Sequence, residues 1–308
     1  MEFTGERFVP GTPGRIKLEH LQRYAVCREA VRGKCVLDVA CGEGYGSAML
    51  AATARRVLGV DVDPAAIEHA RTTYGHLASV DFFVGACDRL PLPDGAVDVA
   101  VSFETIEHHA KQAEMIREVK RVLAPGGLFI LSSPNKPVYS ALSPDPNPFH
   151  VRELTFEDLE ALLKAEFGYV HFWGQRLAVG CFTYGLGRGP AGSSQSLQSL
   201  IIDGNDVAHG VAELENSVYL LAVGSETPID LTRLNLDSVI IEPADDLYMQ
   251  CVAAMQHNVW LREQAQAATG EIALVRGKLE AARAATAARE ADISRLRAAL
   301  AGQEAQNA

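Results

Sequence analysis

The sequence predicts an α/β fold in which a doubly wound, mostly parallel sheet of seven strands is followed by a C-terminal coiled-coil helix. From residue 34 onward, short apolar runs bounded by Gly, Pro or Asp alternate with segments of helical periodicity, which is the pattern of repeated βαβ units. Polar and apolar residues do not alternate within these runs, as expected for strands that are buried on both faces. A heptad pattern occupies the last part of the chain.

The predicted elements follow one another along residues 34–243. The strands are Cys35–Ala40, Val57–Val62, Val80–Val84, Val97–Phe103, Gly127–Ser132, Val170–Phe172 and Val218–Val223. Helical patterns lie at Ala65–Tyr74, Ala110–Val122 and Thr155–Phe167. Residues 1–33 are predicted to form a loop and an amphipathic helix that caps the sheet. The Gly- and Ser-rich residues 176–213 are predicted to be an insertion or lid.

Residues 244–308 are predicted to form a coiled coil in a single heptad register. The a positions are Ala244, Cys251, Asn258, Ala265, Ile272, Leu279, Thr286, Ile293 and Leu300; the d positions are Leu247, Ala254, Leu261, Ala268, Val275, Ala282, Arg289 and Leu296. A long helix of this period does not bury its seam alone, so we expect a homo-oligomer of two or three chains. The alternative is a single helix that folds back on the preceding domain.

Composition restricts the partners and the compartment. Asp and Glu total 39 against 28 Lys and Arg, without a basic run, which disfavours nucleic acid as a partner. The six cysteines are scattered without paired spacing, as in a reducing compartment. The N-terminal residues are polar rather than signal-like, and no apolar run reaches the ~20 residues that span a bilayer. We expect a cytoplasmic protein that reaches the inner face of the membrane only through a partner.

A glycine-rich turn follows the first predicted strand and opens a helix. Gly42 and Gly44 lack a Cβ, so a ligand can approach the backbone closely near a helix N-terminus. A dinucleotide-binding turn needs Gly or Ala where this chain has Ser47, which disfavours that alternative. Asp61 ends the second strand, where a carboxylate can accept hydrogen bonds from both hydroxyls of a ribose. Asp88 follows the third strand and is expected to meet an adenine amino group.

These residues resemble the cofactor site of class I S-adenosylmethionine-dependent methyltransferases, which have a Rossmann-like fold. The likeness runs from about Glu2 to Ser225 and departs at Ala40, where the family more often has glycine. It implies S-adenosylmethionine as the cofactor. The residues so implied are Asp38, Gly42 and Gly44 for the methionine end, Asp61 for the ribose and Asp88 for the adenine, with their neighbours Ala40, Tyr45, Val62, Cys87 and Phe103.

A second group of polar residues follows the fourth predicted strand. Glu104, Glu107 and His108 are spaced as i, i+3 and i+4, so one helical turn would place them on one face. A divalent cation would offset the cost of burying these groups together. His150 is predicted to be the fourth ligand, and Mg²⁺ or Mn²⁺ suits such donors. In the alternative without a metal, His108 is the general base and Glu104 is its hydrogen-bond partner.

The second group resembles the Glu-x-x-Glu-His site of small-RNA 3′-terminal 2′-O-methyltransferases, and ubiquinone-biosynthesis O-methyltransferases have a similar segment. In the first of these families a cation grips a vicinal diol and acidifies the hydroxyl that is methylated. The resemblance therefore implies O-methyl transfer. It implies catalytic roles for His108 and Glu104 and a metal site of Glu104, Glu107, His108 and His150.

Segments outside these two groups indicate the acceptor. Phe3–Pro10, Glu19–Tyr24 and Ser132–Lys136 resemble bacterial methyltransferases encoded with surface-polysaccharide glycosyltransferases, including O-antigen chain terminators. The resemblance implies a glycan or nucleotide-sugar acceptor, a methyl cap on the growing chain, and a polysaccharide polymerase or glycosyltransferase as partner. Chain terminators methylate a sugar or its phosphate. This chain has no kinase-like domain before its coiled coil, which favours a sugar hydroxyl.

Other functions remain open from the sequence. An O-methyltransferase of a small diol or lipid-phenol would need an apolar face near residues 176–210, which their Gly- and Ser-rich composition disfavours. A non-catalytic scaffold is disfavoured by the complete set of cofactor residues. Arg7, Arg23 and Tyr24 are further candidates to hold the cofactor carboxylate or the glycan.

Overall fold

The structure is a computed structural model of the 308-residue chain. It describes residues 15–142, 147–178, 200–203, 206–209, 216–232, 234, 236–240 and 246–307. The chain divides into two compact units, residues 1–242 and 243–308. The predicted N-terminal loop with Arg7, and most of the predicted lid, lie outside the described residues.

Strands and helices alternate through the first unit. The strands are β1 (Cys35–Val39), β2 (Arg56–Asp61), β3 (Val80–Val84), β4 (Val97–Phe103), β5 (Leu123–Pro134), β6 (Tyr169–Gln175), β7 (Leu200–Asp203), β8 (Asp206–His209) and β9 (Tyr219–Ser225). The helices are α1 (Arg15–Val26), α2 (Tyr45–Ala51), α3 (Pro64–Tyr74), α4 (Gln112–Val122), α5 (Lys136–Tyr139) and α6 (Phe156–Lys164). All seven predicted strands are present, and their ends differ from the predicted ones by at most four residues.

Seven of the strands form one sheet in the order β3-β2-β1-β4-β5-β9-β6. β1 to β5 pair in parallel, and β9 runs antiparallel to both of its neighbours. The predicted doubly wound, mostly parallel sheet is therefore confirmed. The strand order reverses between β1 and β4, so the carboxyl ends of these two strands flank the crevice where ligands bind in open α/β sheets.

Helices cover both faces of this sheet. On one face, side chains of α1, α2 and α3 pack against strand residues that include Val36 and Val101. On the other face, α4 and α6 pack against residues that include Leu37 and Leu58. Because neighbouring strand residues such as Val36 and Leu37 are buried on opposite faces, the strands have no polar face. This explains the continuous apolar runs in the sequence.

A separate antiparallel hairpin consists of β7 and β8. It lies within residues 176–213, which are predicted to be an insertion or lid without strands. A signal for it is present in the sequence, because Gly204-Asn205 between two short runs is a typical two-residue hairpin turn. Because the residues before it are rich in Gly and Ser, the whole stretch is predicted to be without strands.

The second unit is one helix, α7 (Asp246–Asn307), of 62 residues. At 1.5 Å per residue it is roughly 90 Å long. The predicted long C-terminal helix is therefore confirmed, whereas its self-association stays a prediction. Ala244, the first predicted a position, lies outside the described residues. Among the helices that the structure describes, none is long and apolar enough to cross a membrane.

Candidate functional site

A cavity of about 200 Å³ lies in the crevice at the carboxyl ends of β1, β2 and β4. Its lining includes Ala40, Gly42, Asp61, Val62 and Cys87 from the predicted cofactor set. It also includes Glu104, Thr105, His108 and His109, which follow β4. The fold thus brings residues of the two groups predicted from sequence, cofactor and chemical, to one cavity.

The turn after β1 is tightly wound. Ala40, Gly42 and Gly44 all have positive φ, at 59°, 55° and 91°. A Cβ on Gly44 would lie 2.8 Å from the Phe82 ring and 2.9 Å from the Ala70 side chain. Glycine is therefore required at Gly44 for both conformation and space. The turn leads directly into α2, which leaves backbone N–H groups at a helix N-terminus for an anionic ligand group.

Asp61 is fixed at the end of β2 by two backbone donors. The N–H of Gly42 donates to Oδ2 at 2.9 Å, and the N–H of Asp63 donates to Oδ1 at 2.9 Å. Each carboxylate oxygen can accept a further hydrogen bond, so the side chain fits the ribose role that the resemblance implies. Val62, the next residue, is 69% exposed and offers an apolar surface beside it.

Asp38 lies behind the glycine turn and is fully buried. It accepts hydrogen bonds from Ser47 Oγ at 2.7 Å and from Tyr24 Oη at 3.2 Å. Burial raises the pKa of this carboxyl to about 7, against the smaller lowering effect of the Ser47 and Tyr24 hydrogen bonds. The side chain therefore ties α1 and α2 to β1. Its predicted contact with the cofactor stays a prediction.

Replacement of Asp38 by asparagine is expected to remove a pH dependence of stability. The unfolded chain releases the Asp38 proton near its ordinary pKa of about 3.9, whereas the folded protein retains it until about pH 7. The wild-type protein should therefore lose roughly 4 kcal/mol of unfolding free energy relative to Asp38→Asn as the pH rises through this window. Urea denaturation of both proteins at several pH values measures the difference. A difference that is constant with pH would contradict the expectation.

Asp88 contacts two basic side chains, which the sequence does not predict. Its neighbour Cys87 lines the cavity. The Asp88 carboxylate accepts a hydrogen bond from Lys111 Nζ at 3.2 Å and lies 3.7 Å from His109 Nε2. The Lys111 hydrogen bond is the largest cause that lowers the pKa of Asp88. An adenine contact through Asp88 stays a prediction and would have to share this carboxylate with Lys111.

Tyr24 contacts three predicted cofactor residues, namely Asp38, Phe103 and Tyr45. Its ring packs edge-on against Phe103, with centroids 4.9 Å apart, and against Tyr45 at 5.4 Å. The same ring fills the space beside Gly46, where an added Cβ would lie 2.0 Å from it. Tyr24 and Phe103 thus support the turn from behind, and neither belongs to the cavity lining.

Arg23 is the largest fully buried side chain among the described residues. Its Nε donates to Gln175 Oε1 at 2.8 Å, and its guanidinium lies 4.3 Å from the centre of the Tyr219 ring. Nη1 is 3.4 Å from Glu104 Oε1, an ion-pair distance without hydrogen-bond geometry. Arg23 thus places one positive charge behind Glu104, which lines the cavity.

Glu104 differs from the sequence prediction. It has a positive φ of 51°, and the helical turn that follows is a short 3₁₀ helix over Ile106–His108. The prediction that one helical turn aligns Glu104, Glu107 and His108 is therefore wrong. The Glu104 carboxylate instead accepts a hydrogen bond from Ser132 Oγ at 2.7 Å and faces Arg23.

Glu107, His108 and His150 do come together. One potential ligand atom from each of the three lies within 4.8 Å of the others. Glu107 is fully buried, and among the described residues neither of its carboxylate oxygens has a hydrogen-bond partner. Burial, and then the nearby charge of Glu104, raise the pKa of Glu107 well above its ordinary value. Three of the four predicted metal ligands are thus gathered, and Glu104 is not in the group.

The two histidines are each held through Nδ1, with their rings nearly perpendicular at 87°. His108 Nδ1 lies 2.9 Å from the carbonyl oxygen of Phe149, and His150 Nδ1 lies 2.7 Å from Glu153 Oε1. Both partners are acceptors, so the neutral rings carry their protons on Nδ1 and present lone pairs at Nε2. His108 Nε2 lies 3.9 Å from Glu107 Oε1, and His150 Nε2 lies 3.0 Å from the Asn147 amide nitrogen. This tautomer suits either metal ligation or proton acceptance at Nε2.

Several supporting residues were missed from the sequence. Glu153 and the Phe149 carbonyl orient the two imidazoles, and Ser132 and Gln175 hold Glu104 and Arg23. The i, i+3 spacing of His150 and Glu153 is a usable signal for the first of these pairs. The other contacts join residues that are far apart in the sequence, so no local pattern indicates them.

Residues 37–131 match a family model described as a methyltransferase domain. A probable S-adenosylmethionine-dependent methyltransferase of Mycolicibacterium smegmatis is 41% identical over 169 residues, which cover 53% of this chain and 64% of that protein. A fatty-acid O-methyltransferase of the same species is 32% identical over 121 residues, which cover 36% of this chain and 44% of that protein.

A solved structure, the YcgJ protein of Bacillus subtilis, is 24% identical, with a TM-score of 0.45 over 51% of this chain and 71% of that chain. The curated relatives are each matched over less than two thirds of their own length. Residues 37–131 are thus similar to a methyltransferase domain, and the sheet order is that of a doubly wound, Rossmann-like fold.

Proposed function

We propose that this chain is an S-adenosylmethionine-dependent O-methyltransferase whose acceptor is a sugar hydroxyl of a surface polysaccharide or its precursor. One observation carries the proposal: Gly42 and Asp61 of the predicted cofactor set line the same cavity as Glu104 and His108. A methyl donor and a proton acceptor can therefore meet in one crevice.

The residues of the cavity fit the cofactor. Gly42 lines the cavity with a positive φ of 55°, and an added Cβ there would meet nothing within 4 Å, so the space beside it is open to a ligand. Asp61 presents a fixed carboxylate in the same lining. Gly42, Gly44 and the N-terminus of α2 would hold the methionine end, and Asp61 would hold the ribose. When bound, S-adenosylmethionine supplies an electrophilic methyl group on a sulfonium centre.

His108 is suited to accept the proton that the acceptor hydroxyl loses. Its Nδ1–H is held by the Phe149 carbonyl, so Nε2 is the basic atom. While the acceptor oxygen takes the methyl group, whose bond to the sulfonium sulfur would break and leave its electron pair on sulfur, the hydroxyl proton would pass to Nε2. The Phe149 carbonyl would accept a hydrogen bond from Nδ1–H of the imidazolium that results.

The polarity of the cavity beyond β4 supports a glycan acceptor. Glu104, Thr105, His108 and His109 all carry hydrogen-bonding side chains. A sugar offers several hydroxyls to such groups, whereas an alkyl chain offers none. The relative named as a fatty-acid O-methyltransferase supports a second candidate, transfer to a lipid or another small acceptor. Transfer to a sugar phosphate is a third, less favoured because neither lysine nor arginine is among the described residues of this lining.

A divalent cation is part of the proposal. Glu107, His108 and His150 would hold it: Glu107 offers a buried carboxyl group whose oxygens have no hydrogen-bond partner among the described residues, and each histidine offers Nε2, for which His150 would exchange its contact with the Asn147 amide nitrogen. A cation bound there would lower the pKa of a coordinated hydroxyl. His108 cannot be both a ligand and the base through the same atom, so the cation-bound and cation-free forms of the site are alternatives.

Chelation separates these alternatives. With a cation at the site, EDTA should abolish methyl transfer and added Mg²⁺ or Mn²⁺ should restore it. Glu107→Gln should lower Mn²⁺ affinity at least about tenfold, as measured by electron paramagnetic resonance without any acceptor. Glu114→Gln, on the exposed surface of α4, serves as the matched control and should leave Mn²⁺ binding unchanged. Activity that is indifferent to EDTA, together with no Mn²⁺ binding by the wild type, would leave His108 as the base.

The acceptor is tested with radiolabelled cofactor and a panel of polysaccharide fragments, nucleotide sugars, fatty acids and phenolic lipids. Label on the glycan fraction is the expected result. Label only on the fatty acids or phenols would replace the glycan proposal with the second candidate. Calorimetry with S-adenosylmethionine alone tests the enzyme class separately, and failure of the cofactor to bind would overturn the proposed function altogether.

A further inference from the structure

We infer that α7 is an interaction surface for a second copy of this chain, and that the two helices run parallel and in register. The apolar seam of α7 is open in the single chain: Ile272, Val275, Leu279 and Leu300 are each between 49% and 63% exposed. A row of such residues every three to four positions along a helix is the pattern that a partner helix covers.

Charge complementarity favours a second copy as the partner. In a parallel coiled coil, a g residue of one helix lies beside the e residue five positions later on the other helix. Glu271 is at g and Arg276 is the e residue that it would meet; Asp292 at g would meet Arg297 at e. Two-fold symmetry forms each pair twice, which gives four attractive contacts between two identical helices.

An antiparallel arrangement is disfavoured by the same charges. It brings e positions against e positions and g against g. Four of the five charged e residues between residues 249 and 302 are arginine, namely Arg262, Arg276, Arg283 and Arg297, against Glu290. Of the charged g residues over the same length, Glu271 and Asp292 are acidic and Lys278 is basic. Most e–e and g–g encounters would therefore be repulsive.

A polar seam residue favours alignment without a shift. Asn258 occupies an a position, and in a parallel pair in register it lies opposite the same residue of the partner. The two amides can then hydrogen-bond to each other, whereas a shifted register would bury each of them against apolar residues. One Asn at a single a position is a known determinant of register at some cost in stability.

Three features oppose the pairing. Arg289 occupies a d position, so a parallel pair in register places it in the seam opposite the same residue of the partner, next to the polar layer of Thr286. Lys278 would meet Arg283 of the partner, which is one repulsive contact type against two attractive ones. Asp292 is also ion-paired within its own helix to Arg295, with both side chains largely exposed. An exposed pair of this kind contributes at most about 1 kcal/mol, so Asp292 can exchange Arg295 for Arg297 of the partner.

The first test compares two substitutions that differ only in heptad position. Ile272 at a and Leu274 at c are each 60% exposed in the single chain. Ile272→Asp should raise the dimer dissociation constant about 100-fold or more, because it places two charges in the seam. Leu274→Asp, on the outer face, should leave it unchanged. Sedimentation equilibrium of the full-length proteins measures both, and circular dichroism reports whether the helix persists.

The second test uses a native cysteine for orientation. Cys251 is exposed, and it lies at an a position near the start of α7. Two copies of Cys251 face each other only when the helices are parallel and in register, so mild oxidation should give a disulfide-linked dimer on a non-reducing gel. Cys251→Ser, the matched control, should remove this species while the mass in solution stays dimeric.

A monomeric full-length protein at micromolar concentration would overturn the inference. So would equal weakening of association by Ile272→Asp and Leu274→Asp. A dimer that gives no Cys251 crosslink, but does crosslink between cysteines introduced at Asn258 (a) and Leu296 (d), would indicate antiparallel helices and overturn the orientation. A trimeric mass with efficient crosslinking of two of its chains would correct the number of copies and retain the parallel register.

Discussion

Replacement of Gly44 with alanine is expected to abolish cofactor binding and to lower the free energy of unfolding by roughly 2–5 kcal/mol. Two physical effects add at this position. An alanine at a φ of 91° is strained by about 1–2 kcal/mol. The new Cβ would also lie 2.8 Å from the Phe82 ring and 2.9 Å from Ala70, so the turn must shift. Calorimetry with S-adenosylmethionine and urea denaturation measure the two consequences.

Gly33 provides a matched control for the backbone effect. It has a φ of 67°, and an added Cβ would meet nothing within 4 Å. Gly33→Ala should therefore show the conformational strain alone and should bind cofactor normally. Gly42→Ala, also without neighbours within 4 Å, keeps the test informative if Gly44→Ala does not fold. Wild-type affinity for S-adenosylmethionine in both Gly42→Ala and a folded Gly44→Ala would show that the turn is not the cofactor cradle.

Replacement of His108 with alanine is expected to lower kcat about 10²- to 10⁴-fold and to leave cofactor affinity nearly unchanged. The loss is expected in either form of the site, because the variant lacks both the base and a metal ligand. The cation-free and cation-bound forms of the site differ in how the activity of His108→Ala can be restored. Added imidazole should restore part of the activity when His108 is the base. Metal titration should show a raised requirement when it is a ligand.

His76 offers a control for the histidine substitution, since it is exposed after α3 and does not belong to the cavity lining. His76→Ala should have wild-type turnover and cofactor affinity. Wild-type kcat in His108→Ala would contradict the assignment of the chemical site to this cavity. A loss of cofactor affinity that accounts for the whole loss of activity would instead place His108 on the cofactor side.

Much of the fold could be predicted from the sequence because its signals are local. Strands such as Val97–Phe103 are buried on both faces and therefore appear as continuous apolar runs. The glycine turn was predictable because Gly42 and Gly44 meet a backbone requirement that few other residues can meet. The hairpin of β7 and β8 was missed because its short strands lie in a long polar stretch.

The candidate site was predictable in its residue types and less so in its contacts. Spacing alone suggested that Glu104 shares a helical face with Glu107, yet the positive φ of Glu104 turns it toward Arg23 and Ser132. That conformation depends on side chains from α1 and β5, which no local pattern contains. The hydrogen bond from Tyr24 to Asp38 could not be predicted for a similar reason, since nothing near Asp38 in sequence indicates it.

The buried Arg23 and Tyr24 have a consequence for dissecting the chain into fragments. Both belong to α1, which precedes the residues that match the family model. A fragment that starts at Lys34 would leave Glu104 without its cation and Asp38 without one of its two hydrogen-bond donors, and would open a void beside Gly46 where the Tyr24 ring lies. We therefore expect the smallest autonomous folding unit to include α1, which precedes the first strand of the sheet.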